Sequence, residues 1–157
     1  MPRAENNRRF HANGGVEEFR LSPVLLLFSA DDLLVRLVCQ IVGPPWRLVR
    51  SATDQELGRE VFAQPNIRLV IFDDQAVEES ERGRLLEQIR RRLSGAPLIY
   101  VAASQSDANE KRARARGAQY YVSKPLSADR FGHVLSSFLQ AQQTGARGAH
   151  PASHRTS

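Results

Sequence analysis

From about residue 21 to residue 140, short apolar runs alternate with apolar positions at helical spacing. Val24-Leu25-Leu26-Leu27-Phe28, behind Pro23, is continuous, as a strand buried on both faces should be. Leu34, Leu37, Val38, Ile41 and Val42 then recur at the period of a helix, which Gly43-Pro44-Pro45 stops. Trp46 to Val49 predicts a short, more polar strand at a sheet edge. Thr53 suits the N-cap of a second helix that passes Leu57, Val61 and Phe62 before Pro65. Arg68 to Phe72 reads as a third strand. Leu85, Leu86, Ile89 and Leu93 form one face of a third helix with an arginine-rich outer face. Gly95-Ala96-Pro97 breaks that helix, and Leu98 to Val101 is a fourth strand. Asp107 to Arg116 predicts a polar fourth helix capped by Gly117, followed by a fifth strand from Gln119 to Ser123. Ser127 can cap the last helix, with Phe131, Val134, Leu135, Phe138 and Leu139 on its apolar face. Strict strand–helix alternation argues for an α/β fold, a five-stranded parallel sheet doubly wound with helices on both faces.

A length of 157 residues suits one domain with two tails. Residues 1–20 are polar and read as a flexible arm, 21–140 as the folded domain, and 141–157 as a disordered tail of small polar residues. The hydrophobic content of 41% and charged content of 25% match a soluble globular chain. No apolar run approaches the roughly 20 residues that span a bilayer, and the first 20 residues hold no hydrophobic stretch of a secretory signal. The single cysteine, Cys39, rules out an internal disulfide and fits a reducing, cytoplasmic setting. Cys39 lies on the apolar first helix and is expected to pack. The net charge of +5 is spread thinly over arm, domain and tail. Few aromatics accompany the arginines, so nucleic-acid binding is not the leading reading.

The chemistry concentrates on two residues. Asp73 ends the Leu69-Val70-Ile71-Phe72 run, and Lys124 ends Tyr120-Tyr121-Val122-Ser123 ahead of Pro125. A carboxylate and an ammonium therefore stand at the C-terminal ends of two strands, the edge where open α/β sheets bind ligands. Only Lys111 and Lys124 are lysines among 22 basic residues. An arginine-rich chain that keeps a lysine at such an edge points to a need for a compact ammonium there.

Asp73 after the third strand, the Lys124-Pro125 pair after the fifth, the βα order and the length together resemble the receiver domain of two-component response regulators. The resemblance covers about residues 22–140. It implies a flavodoxin-like receiver fold and a stand-alone phosphorelay signalling module rather than an enzyme. Asp73 would accept a phosphoryl group from a histidine kinase, and Lys124 would be the fixed cation beside it. A cis peptide between Lys124 and Pro125 is also implied. The family's Mg²⁺ would bind through Asp73, the backbone carbonyl of Gln75 and an acidic pair after the first strand.

Three departures point to an atypical, pseudo-receiver variant and leave two mechanisms open: Asp73 still phosphorylated with Mg²⁺ held weakly, or a phosphorylation-independent scaffold gated by partner binding. Helical phase places Ser29-Ala30 at the acidic pair; a register one residue later would place Ala30-Asp31 there. Either way a metal carboxylate is missing, so Mg²⁺ is expected to bind weakly. Asp31 or Asp32 is expected to serve first as an N-cap. Ala102 replaces the Ser or Thr that follows the phosphoryl group in the family, with Ser104 a substitute only from the loop. The aromatic switch matches Tyr121, which is expected to rest inward. After Asp73 the chain reads Asp74-Gln75-Ala76-Val77 without the family's Pro and Gly, and Asp74 is expected to face solvent. Output is expected through a partner protein or a homodimer on the face made by the fourth helix, fifth strand and fifth helix, where Lys111, Arg112, Arg114 and Arg116 suit an acidic surface. A flavodoxin-like small-molecule binder is the weaker alternative. The chain has no glycine-rich phosphate loop after Phe28, and His133 sits alone.

Overall fold

The computed structural model describes residues 22–147. The expected arm, 1–20, and the end of the expected tail lie outside the described residues. Five parallel strands, β1 (Val24–Phe28), β2 (Arg47–Ser51), β3 (Ile67–Asp73), β4 (Leu98–Ala102) and β5 (Ala118–Ser123), form one sheet in the order β2-β1-β3-β4-β5. Five helices connect or follow them: α1 (Asp32–Ile41), α2 (Asp54–Ala63), α3 (Glu79–Arg92), α4 (Asp107–Ala115) and α5 (Ala128–Arg147). A short 3₁₀ turn, Asp74–Ala76, intervenes between β3 and α3. Helix α5 continues past residue 140, so the first part of the expected tail is helical.

The sheet divides the core into two faces by strand alternation. Leu25, Leu27, Leu69, Ile71, Ile99 and Val101 pack under α1 and α5, through Leu34, Val38, Phe131, Leu135 and Leu139. On the other face, Leu26, Phe28, Val70, Phe72 and Tyr100 meet α2, α3 and α4, through Leu57, Val61, Leu85, Leu86, Ile89 and Ala113. Burial of both faces explains why β1, β3 and β4 read as unbroken apolar runs. On that second face an aromatic row crosses four strands. Phe28, Phe72, Tyr100 and Tyr121 stand in register, with ring centroids 5.1, 5.5 and 5.4 Å apart.

The helix ends follow local chemistry. Asp31, Thr53 and Ser106 cap α1, α2 and α4 through their side chains, and Ser127 Oγ accepts from Arg130 N at the start of α5. Gly117 closes α4 at φ +107°, a backbone conformation that favours glycine. One apolar helix residue stands off the core, and one expectation fails. Phe62 is 61% exposed and lies under the Arg92 guanidinium, 3.6 Å from its ring centroid, instead of packing in the core. Cys39 is exposed, not packed. Both stand one residue past a buried position, Val61 and Val38, so the helix turns them about a quarter-circle off the buried stripe.

Candidate functional site

The C-terminal ends of β1, β3 and β5 converge on Asp73. Its side chain is fully buried, and both oxygens are engaged. Ser29 Oγ donates to Asp73 Oδ2 at 2.6 Å, Lys124 Nζ donates to the same oxygen at 2.9 Å, and Gln75 N donates to Oδ1 at 3.1 Å. Lys124 also donates to Gln75 Oε1 at 2.7 Å and pairs with Asp31 Oδ2 at 2.9 Å. An ammonium has three protons, and these three acceptors match them. The Lys124–Pro125 peptide is cis.

Burial works against the charge on Lys124, but its bonds to Asp31 and Asp73 prevail and hold its pKa above the ordinary lysine value. The hydrogen bond from Lys124 holds the Asp31 carboxyl below the usual carboxylate range, against a smaller opposing effect of burial. Asp31 is fixed from its other side as well, because Leu33 N donates to its Oδ1 as the cap of α1. Ser29 is wholly buried, and its Oγ accepts from Asp31 N at 3.0 Å while donating to Asp73. Arg50 on β2 donates to the Ser29 carbonyl and pairs with Asp32.

This arrangement bears on Mg²⁺. With Leu34 and Val38 buried, the residues directly after β1 are Ser29 and Ala30, which bring no carboxylate. Asp31 reaches the site, but its two oxygens serve Lys124 and the helix cap. A hard divalent ion asks for several oxygens around one point, and among the described residues no group of three His, Cys, Asp or Glu side chains could hold a metal. The donor set does not fit Mg²⁺; the Lys124 ammonium lies between the two carboxylates instead. Gln75 meets the site through its side chain and its N–H. An open hollow of about 410 Å³, lined by Ala30, Asp31, Asp73, Gln75 and Ala76, lies over the cluster.

Asp74 corrects the expectation of a solvent-facing acid, since only 1% of it is exposed. The 3₁₀ turn after β3 swings it to the opposite side of the sheet edge from Lys124. Its Oδ1 accepts from Ala103 N at 2.9 Å, and its Oδ2 accepts from Tyr100 Oη at 2.9 Å and Asn109 Nδ2 at 3.3 Å. Arg82 of α3 lies 3.5 Å from Oδ2 and donates to the Asp74 carbonyl. Asn109 Nδ2 also donates to Tyr121 Oη at 3.1 Å. Tyr121 is buried, with its ring stacked on Tyr100. Burial raises the pKa of both phenols, and the nearby Asp74 charge adds to the effect.

Ala102 is buried at the end of β4 and offers only its backbone, accepting from Lys124 N at 2.9 Å. Ser104 is exposed and lines a hollow on the Asp74 side, away from Asp73. Sequence reasoning missed Ser29 as the partner of Asp73, and missed Tyr100, Asn109 and Arg82 as partners of Asp74. The one available signal was Asp74 itself, a charge where the resemblance expects an apolar side chain.

No family model matches the chain, and no curated protein does. Solved structures do. A CheY-like response regulator receiver domain protein from Methanospirillum hungatei is 21% identical, with a TM-score of 0.65, over 78% of this chain and 97% of that one. A response regulator from Thermotoga maritima is 17% identical, with a TM-score of 0.66, over 76% and 99%. The signal receiver domain of an HD domain-containing protein from Pseudomonas fluorescens is 18% identical, with a TM-score of 0.65, over 78% and 98%. With the sheet order and the Asp73–Lys124 edge, these likenesses establish that the chain has the fold of the response-regulator receiver domains.

Proposed function

We propose that this chain is a non-enzymatic signalling receiver that acts by binding a partner protein without phosphorylation of Asp73. The observation that carries the reading is the closed cluster Ser29–Asp73–Lys124–Asp31. Accepting a phosphoryl group asks for a carboxylate oxygen free to attack and a divalent cation over the phosphoryl oxygens. Here hydrogen bonds already hold both Asp73 oxygens. Ser29 and Ala30 supply no metal carboxylate, and Ala102 has no hydroxyl to follow a phosphoryl group. Tyr121 rests inward, tied through Asn109 to Asp74. The geometry thus favours one standing conformation, with output set by partner encounter. The face of α4, β5 and α5 is the docking surface of this reading, for a signalling protein or a second copy. No helix among the described residues is long and apolar enough to cross a membrane.

Intact-mass measurement after incubation with acetyl phosphate and Mg²⁺, beside Asp73→Asn, tests the reading. The expected result is no phosphoryl adduct on either protein, with both folded. An adduct on the parent that Asp73→Asn abolishes would overturn it in favour of a working phosphorelay receiver.

A further inference from the structure

Between α3 and α4, away from Asp73, two adjoining hollows of about 240 and 250 Å³ share the side chains of Glu79, Arg82, Asn109 and Arg112. Arg116 and Tyr100 line the first, and Ser104, Ser106 and Asp74 the second. Arg82 answers Asp74 at the floor. The guanidiniums of Arg112 and Arg116 have no hydrogen bond or ion pair among the described residues, although both line the cleft. Arg116 leans across onto α3 at Gly83. A Cβ built there would sit 2.9 Å from Arg116 Cζ and 3.0 Å from both terminal nitrogens, so any side chain at this position would push the guanidinium aside from its present seat. Two planar forks one helical turn apart, over a polar floor, form a receptor for carboxylates.

We propose that this cleft receives a pair of closely spaced acidic side chains from a partner protein. The inference rests on the interaction reading above, carries its docking surface around α4 to the α3 side, and supplies the chemistry of the partner. Charge selects the ligand. Arg82 is neutralised by Asp74, and Glu79 on the rim offsets part of what Arg112 and Arg116 bring. The remaining positive charge suits single carboxylates, one per fork, better than a phosphate dianion facing Glu79. An acidic group that draws on Arg82 also loosens its hold on Asp74, so occupancy of the cleft is felt at Asn109 and Tyr121.

Fluorescence anisotropy of labelled hexaglutamate with the full chain at low ionic strength tests the proposal, with inorganic phosphate as a competitor. Arg112→Gln with Arg116→Gln is expected to weaken binding about tenfold or more. Arg36→Gln with Arg59→Gln, on the exposed surfaces of α1 and α2, removes the same charge elsewhere and is expected to change affinity less than about twofold. Gly83→Ala keeps every charge but displaces Arg116, and is expected to weaken binding several-fold while the chain melts no lower than the parent. In ¹⁵N spectra the peptide should shift the Asn109 side-chain amide. Equal losses in the two double variants, parent-like affinity in Gly83→Ala, or absence of peptide binding would overturn the proposal. Displacement of the peptide by phosphate at equal concentration would overturn the choice of carboxylate. The phosphodonor assay is independent of these results, so failure of the cleft and failure of the phosphorylation-independent reading are separable.

Discussion

Ser29 and Lys124 do at the level of single side chains what a bound ion would otherwise do: they satisfy a buried carboxylate, with Asp31 holding the ammonium in place. A hydrogen bond to a charged group is worth about 1.5–3 kcal/mol. Ser29→Ala should therefore destabilise the chain by about that amount in urea denaturation. Ser29→Asp carries a sharper expectation. It sets a third carboxylate beside Asp73 and Asp31 and should lower the thermal midpoint without metal. Added Mg²⁺ should then restore much of the loss while leaving the parent unmoved. For Asp31 the sign follows from its lowered pKa. A carboxyl lowered on folding adds stability above its unfolded pKa and loses it as pH falls through the folded value. Asp31→Asn should thus cost about 0.5–1 kcal/mol at pH 7, given a partly exposed pair. The gap to the parent should close as pH drops below about 4. Denaturation at both pH values checks this.

At the scale of elements, the strands and most helix faces were legible because they obey local rules. Continuous apolar runs marked β1, β3 and β4, and the caps Thr53 and Ser127 lie where the sequence points. Phe62 escaped because apolar character alone does not say which side of a helix a residue faces, and a guanidinium can cover a ring in the core's place. Asp74 escaped for a different reason. Its partners Tyr100, Ala103 and Asn109 come from β4 and α4, which only the fold brings to the end of β3. Nothing within a few residues of Asp74 announces three donors. The candidate site was legible as the pair Asp73 and Lys124, because a resemblance transmits residue types at fixed elements. The closing of that site by Ser29 and Asp31 was not, because it depends on distances. Asp74 joins the 3₁₀ turn, β4 and α4, so its loss should be felt along α4. Asp74→Asn should weaken the chain by about 1.5–3 kcal/mol and speed amide exchange in α4 more than in α1, measured by mass spectrometry.

For the whole molecule, the two networks at the sheet's C-terminal edge hold β1, β3 and β5 together on one side and β3, β4 and α4 on the other. A two-state switch needs about 5.5 kcal/mol of differential binding to pass from 1:99 to 99:1. With no hydroxyl at Ala102 and Tyr121 already inward, that difference has few contacts from which to arise. Beryllofluoride with Mg²⁺, a phosphoryl mimic, should leave the ¹⁵N spectrum of the chain unchanged; shifts spreading from Asp73 to α4 would show a switch that still works. The scarcity of lysine has a practical result. Lys124 is clamped and mostly covered, with only 15% of its side chain exposed, whereas Lys111 lies on the outer surface of α4. A protonated, triply hydrogen-bonded amine is a poor nucleophile. A limiting dose of an acylating reagent should therefore mark Lys111 and spare Lys124, and the moment Lys124 begins to label is the moment the site has opened. The molecule carries its own reporter, readable peptide by peptide, without any introduced probe.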